Sequence, residues 1–288
     1  MRVGVAVFTT AEFSMDDVVQ RLDDIERLGV GHAELRFGDV PLAREGSRFN
    51  PQALTELQDI LSSYSLTLSA HAAIYQDGFR LNPADPSASV RRRSLELLRL
   101  YLDTCERLDA SPLITHLGKV FPDGRDDEWL EGGEAVAEAK RTVPALAHDS
   151  SIPLVIENSN VDPVRVAVFE RPEEVVDFEF PVCLDIGHGW TSSSYHGFEP
   201  EEFVRLLKNR IVHLHIHDNL GRVHPEGESN PEEGWGDIHL PIGKGTCPVE
   251  RFLEGLQGFR GTVVLEHDPF VPEDVPPVVR RIRKLLEV

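Results

Sequence analysis

The chain repeats one pattern eight times: a short run of β-favouring residues, a connection, then a stretch with apolar residues at helical spacing. RVGVAVF at 2–8 precedes residues 15–29, where Val18, Leu22, Ile25 and Leu28 fall on one face of a predicted helix. HAELRF at 32–37 leads to a predicted helix at 51–62, opened by Asn50 as cap and Pro51 as first-turn residue. LTLSAHA at 66–72 precedes a helix over 87–108, PLITHLG at 112–118 one over 127–149, and PLVIEN at 153–158 one near 171–178. PVCLDIGH at 181–188 precedes a helix at 199–209, the strand at 211–217 one at 247–257, and TVVLEH at 262–267 a closing helix at 273–287. This alternation, with no second class of sequence, predicts an α/β fold: a single (β/α)8 barrel domain over residues 1–288. A doubly wound sheet is the competing layout, but no GxGxxG or Walker-type glycine loop follows any strand.

Barrels of this kind carry their active sites at the C-terminal ends of the strands. Glu34, His71, His116, Glu157, Asp185 and His215 end six consecutive strands, and Glu266 ends the eighth. Strand alternation groups His71 with Thr67 and Ser69, Glu157 with Val155, Asp185 with Cys183, and Glu266 with Val264, which turns these side chains into the barrel. Carboxylates packed so closely raise one another's pKa and cannot all ionise without cations. Only Arg36, Lys119 and Lys244 stand at strand ends to supply them, so a divalent metal is the expected partner. A mixed Asp/Glu/His set suits Zn²⁺, Mn²⁺ or a related ion better than calcium, which takes oxygen ligands alone.

Residues 211–245 concentrate this chemistry, gathering His213, His215, His217, Asp218, His224, Asp237 and His239. Val212, Leu214 and Ile216 point one way along the strand and the three histidines the other, as expected of a strand lining a polar cavity. Asp237 and His239, two residues apart, can converge on one ion. His213 lies one layer below His215, where a hydrogen-bonded supporting role is expected. His217, Asp218, His224 and His267 lie near the mouth, in supporting positions that sequence does not rank. His32, His148 and His196 lie away from that face.

Composition narrows the partners. With 49 acidic against 29 basic residues the formal charge is −20, which disfavours nucleic acid without excluding a local basic groove. No apolar run approaches the ~20 residues of a membrane span, and no signal-peptide pattern opens the chain, so a cytoplasmic protein is expected. Cys105, Cys183 and Cys247 offer neither a disulfide framework nor a CxxC zinc site.

Taken together, SAHAAIY, THLGK, VIEN, CLDIGHGW, HLHIHDN and DIHLPIGKG resemble, in order and spacing, the xylose isomerase-like TIM-barrel superfamily. That grouping contains sugar isomerases and epimerases as well as the abasic-site endonucleases of the endonuclease IV type (AP endonuclease family 2). The endonuclease resemblance implies up to three ions: one on His71, His116 and Glu157, one on Glu157, Asp185, His215 and Glu266, and one on His188, Asp237 and His239. The isomerase resemblance implies a single Mn²⁺, Mg²⁺ or similar ion on Glu157, Asp185, His215 and Glu266. Three motifs depart from the endonuclease pattern: HLG stands for HPG, DIGH for DTCH and HIHDN for HLNDS. HIHDN and HLPIGKG look more like the isomerase/epimerase branch.

The resemblance therefore implies a divalent-metal-dependent isomerase or epimerase of a small, sugar-like polyhydroxylated carbonyl compound, with Glu157 and Glu266 as acid and base. A zinc phosphodiesterase cutting DNA at abasic sites is the alternative. Arg36, Lys119 and Lys244 are candidate holders of a substrate phosphate or carboxylate, and Trp190 and Trp235 candidate platforms for a sugar face. The sequence assigns no oligomeric state.

Overall fold

The computed structural model describes residues 1–7, 14–45, 48–120, 130, 132–227 and 229–286. Eight parallel strands close a barrel in chain order: β1 (Arg2–Val7), β2 (His32–Arg36), β3 (Thr67–His71), β4 (Ala110–Thr115), β5 (Leu154–Glu157), β6 (Val182–Asp185), β7 (Ile211–Ile216) and β8 (Thr262–Leu265). The expected TIM-barrel fold is met. Phe8, residues 127–129 and 131, and Glu287, all placed in elements by the sequence pattern, lie outside the described residues. Contacts divide the chain into two compact units, Gly4–Gly118 with Asp123–Val155, and Ile156–Val288 with Met1–Val3 and Lys119–Pro122.

In the first unit, helix α1 (Met15–Arg27) starts at a capping box in which Ser14 accepts the Asp17 amide and the Asp17 carboxylate accepts the Ser14 amide. Its apolar stripe of Val18, Leu22 and Ile25 is buried. Helix α2 (Pro51–Ser62) begins as expected, with Asn50 accepting the Ala53 amide and Pro51 in the first turn. Helices α3 (Ala88–Leu108) and α4 (Gly132–Ala145) follow, and Tyr101 of α3 stacks on Phe37 with centroids 4.9 Å apart. The β2–β3 register sets Glu34 opposite Ser69 and Arg36 opposite His71. Glu34 is buried inside the strand, where it accepts the Ser69 hydroxyl at 2.6 Å, and His32 reaches Thr67 and Ser69 at 2.9 Å each.

In the second unit, β6 is shorter than its sequence pattern. The strand stops at Asp185 because that carboxylate accepts the His188 amide at 2.7 Å and caps helix α5 (Ile186–His196), an element absent from the predicted pattern. The helix expected near 171–178 is only a 3-10 turn, Pro172–Val175. Helices α6 (Glu201–Leu207), α7 (Val249–Glu254) and α8 (Val275–Leu286) lie within the expected spans, and α8 buries Val275, Val278, Val279 and Ile282. All three cysteines are free, and no helix among the described residues is long and apolar enough to cross a membrane.

Candidate metal centre

The β6–β7 register sets Asp185 beside His215, and Cys183 beside His213 one layer below. Glu157 ends β5 and Glu266 follows β8 directly, so Glu157, Asp185, His215 and Glu266, all residues of the second unit, come to one place. One ligand atom of each lies within 4.8 Å of the others, and all four side chains are buried. His215 Nδ1 is 2.9 Å from Glu157 Oε1 and 3.5 Å from Glu266 Oε2, so the two glutamates flank it. Asn158 positions Asp185: its Oδ1 accepts the Asp185 amide at 2.7 Å and its Nδ2 donates to the Asp185 carbonyl at 2.9 Å. The Asp185 Oδ2 atom is buried without a hydrogen-bond partner among the described residues, the state of a carboxylate oxygen waiting for a cation.

A second group adjoins the first. His188, His217, Asp237 and His239 also bring ligand atoms within 4.8 Å of one another. Asp237 Oδ2 is 3.0 Å from the Nε2 atoms of both His188 and His239, and His217 Nε2 is 3.5 Å from Asp237 Oδ1 and 3.1 Å from Asp185 Oδ1. The opposite nitrogens face main-chain carbonyls: His188 Nδ1 that of Asn158 at 2.9 Å, and His239 Nδ1 that of Glu266 at 2.6 Å. Such outer hydrogen bonds aim the remaining lone pair of a metal-binding imidazole.

The electrostatics of the protein alone agree. Burial works against ionising Asp185, yet His188 and His217 hold its carboxyl down at about 2. Burial likewise works against charging His217, and Asp185 and Asp237 override it, lifting the imidazole to about 9. Asp237 is held well below the carboxylate range by His239 and His188 despite its own burial. The imidazoles thus hold Asp185 and Asp237 in the ionised form that a cation-binding carboxylate needs.

The remaining expected residues divide. His71 and His116 stand together in the first unit, with ring centroids 5.4 Å apart. Arg36 pairs with Asp39 at 3.7 Å. Lys119 binds the buried Asp162 carboxylate at 3.0 Å, which ties it to the loop after β5. Trp190 donates to the Thr246 hydroxyl at 3.2 Å, and Trp235 takes the Arg222 guanidinium over its face at 6.0 Å with His224 edge-on. Lys244 is exposed at the tip of a turn built around Asp218.

Sequence places Asp218 near the mouth without ranking it, and the structure makes it the anchor of that turn. The buried Asp218 carboxylate accepts four main-chain amides: Asn219 and Cys247 on Oδ1 at 2.8 and 2.9 Å, Gly243 and Gly245 on Oδ2 at 2.8 and 3.0 Å. Gly245 is required there, because an added Cβ would lie 2.4 Å from Asp218 Oδ1. The Asp218 backbone also pairs with Leu240 at 2.7 and 2.8 Å, which fixes the segment carrying Asp237 and His239. Asn158, in VIEN, directly follows the strand-end candidate Glu157, and Asp218, in HIHDN, comes three residues after the strand-end candidate His215. His217 shares the inward face of His213 and His215, so strand period had already placed it toward the site.

A model of xylose isomerase-like TIM barrels matches residues 22–285. An uncharacterized protein of Methanocaldococcus jannaschii is 25% identical over 248 residues, 82% of this chain and 76% of its own length. A probable endonuclease 4 of Geobacter sulfurreducens is 25% identical over 207 residues, 67% of this chain and 66% of its own. Among solved structures, a D-tagatose 3-epimerase-like protein superposes with a TM-score of 0.73 at 22% identity, over 99% of this chain and 98% of that one. With a match that takes in residues 22–285, the chain belongs to the xylose isomerase-like TIM-barrel family.

Proposed function

We propose that this protein is a divalent-metal-dependent isomerase or epimerase of a small polyhydroxylated carbonyl compound. The carrying observation is the group of Glu157, Asp185, His215 and Glu266: two glutamates, each with an oxygen within 3.5 Å of the same imidazole nitrogen, and a carboxylate with an orphaned buried oxygen. A Zn²⁺, Mn²⁺ or Mg²⁺ ion held there supplies Lewis-acid polarisation of a substrate carbonyl. Asp185 and His215 hold their geometry through Asn158 and the β6–β7 register. Glu157 and Glu266 are the proton carriers: one accepts the proton from the carbon beside the carbonyl, and the other returns a proton to the substrate. Trp190, Trp235, Arg36, Lys119 and Lys244 remain the proposed contacts to the rest of the substrate, with Lys119 and Arg36 also serving their own carboxylate partners.

A second reading, zinc-dependent cleavage of DNA at abasic sites, is favoured by one observation: the adjoining His188, His217, Asp237 and His239 group offers room for a further ion. The formal charge of −20 weighs against a polyanionic substrate. A panel of ketoses and keto-polyols assayed beside an abasic duplex decides. Metal-dependent interconversion of a keto compound supports the first reading, and metal-dependent nicking without it supports the second.

A further inference from the structure

We infer that His217 closes the second group into a four-donor site, so that an ion on His188, His217, Asp237 and His239 is a clamp with no position left for substrate. The inference rests on the divalent-metal reading and sharpens it by separating a closed ion from the open one on Glu157, Asp185, His215 and Glu266.

The distances fit. Zinc bound to nitrogen or oxygen at about 2.0–2.1 Å in a tetrahedron sets its ligand atoms about 3.3 Å apart. His188 Nε2 and His239 Nε2 each lie 3.0 Å from Asp237 Oδ2, His217 Nε2 lies 3.5 Å from the other oxygen, Oδ1, and one ligand atom of each of the four residues falls within 4.8 Å of the rest. His217 Nε2 and Asp237 Oδ1 are both buried and lack hydrogen-bond geometry among the described residues, and the nitrogen stands between two carboxylate oxygens, Asp185 Oδ1 at 3.1 Å and Asp237 Oδ1 at 3.5 Å. A buried imidazole nitrogen set between two carboxylates without hydrogen-bond geometry to either is placed to share a cation with them. The rings of His217 and His239 stack with centroids 4.0 Å apart, while His188 meets each of them edge-on. His239 adopts a left-handed φ of 47°, a conformation costly for a non-glycine residue and sustained only where the surroundings enforce it.

Room for the fourth donor comes from a glycine. A Cβ at Gly187 would lie 2.1 Å from His217 Cε1 and 2.3 Å from its Nε2. The ring and a side chain at 187 therefore exclude each other. This joins two departures that look separate in the sequence. DIGH places Gly187 where DTCH has a cysteine, and HIHDN places His217 where HLNDS has an asparagine. They form one feature: the glycine clears the space that the extra imidazole fills. The consequence is chemical. Structural zinc sites are closed by four protein ligands, whereas catalytic ones keep an open position. A closed ion binds α5, the end of β7 and the 237–239 segment together, and leaves the carboxylate-rich group as the place where substrate oxygens bind.

The test loads the full chain with Co²⁺ and compares wild type with His217→Asn, which removes the imidazole Nε2, and Gly187→Ala, which replaces no ligand but puts a Cβ into the space of the His217 ring. The clamp predicts an intense visible absorption typical of four-coordinate cobalt in wild type. It also predicts loss of that band in both variants, and retention of one ion weakened about tenfold or more under dialysis. Circular dichroism and apo-form melting establish that each variant is folded; should Gly187→Ala not fold, His217→Asn decides. Unchanged spectrum and ion content in a folded His217→Asn variant would overturn the inference and leave His217 as a protonated partner of Asp185. The two claims fail separately: an intact four-coordinate band without turnover of any keto compound sinks the proposed activity alone, and turnover without the band sinks the clamp alone.

Discussion

Replacing Asp218 by Asn tests how the loop beyond β7 is held. The carboxylate receives four main-chain amides, two on each oxygen, in a buried position. An asparagine of the same shape keeps one oxygen, so whichever way its amide turns, two N–H groups lose their acceptor and face another donor. A buried donor left unsatisfied costs about 1–3 kcal/mol, so the variant is expected to lose about 2–6 kcal/mol. That is a large share of the ~5–15 kcal/mol that holds a typical protein folded. The loss has a location as well as a size. In one amide orientation the affected donors are Gly243 and Gly245, and in the other Asn219 and Cys247. Urea denaturation gives the size through the midpoint at constant slope. Amide hydrogen exchange gives the location, because protection should fall in residues 243–247 and at Leu240, whose pairing with Asp218 carries the Asp237–His239 segment. A midpoint shift worth under about 0.5 kcal/mol, the usual range for a surface change, together with unaltered exchange in that loop, would refute the reasoning.

Glu157→Gln and Glu266→Gln preserve shape and remove a proton carrier, so each should lower kcat about 10²–10⁴-fold in the metal-loaded protein; a loss under tenfold for both would take them out of proton transfer. Stripping divalent metal with a chelator should lower Tm by about 5 °C or more, since an ion at a hundred times its Kd contributes about 2.7 kcal/mol; a chelator-independent Tm would argue against a bound ion in the fold. Burial pushes the Asp162 carboxyl up, but Lys119 and the amides of Arg165 and Val164 win and hold it below its ordinary value. Its folded pKa therefore lies below the unfolded one, so the stabilisation is full above about pH 4 and lost as pH falls through the folded value. The stability gap between wild type and Asp162→Asn should accordingly be widest near neutral pH and close on acidification, and a gap that widens in acid would reverse the assignment.

How much of this was legible in the sequence follows from the range of each interaction. Glu157, Asp185, His215 and Glu266 stand where strand period and strand ends put them, because alternation along an extended chain is a local property. Helix α5 was not legible. Gly187, Gly189 and the serines at 192–194 are weak helix formers, and its start depends on Asp185, a residue that also reads as the end of a strand. A helix is expected near 171–178, but the chain makes only one 3-10 turn there, with Glu174 accepting the Arg171 and Phe169 amides. Asp218 stands near the mouth in the sequence pattern, but its role as an anchor depends on amides from 25 to 29 residues later that only the fold brings onto its oxygens. His217 lay on the inward face by period. Its convergence with Asp237 depends on Gly187, 30 residues away in the chain, and only the folded structure brings those three positions together.

Solvent-hydrogen exchange tests the central claim most directly. The metal-loaded protein, incubated in D2O with a panel of ketoses and keto-polyols, should place deuterium on the carbon beside the carbonyl of at least one compound, as read by NMR. The exchange should vanish both with chelator and in Glu157→Gln. Absence of exchange on every keto compound, with metal-dependent nicking of an abasic duplex by the same preparation, would contradict the isomerase/epimerase account and make the protein a phosphodiesterase.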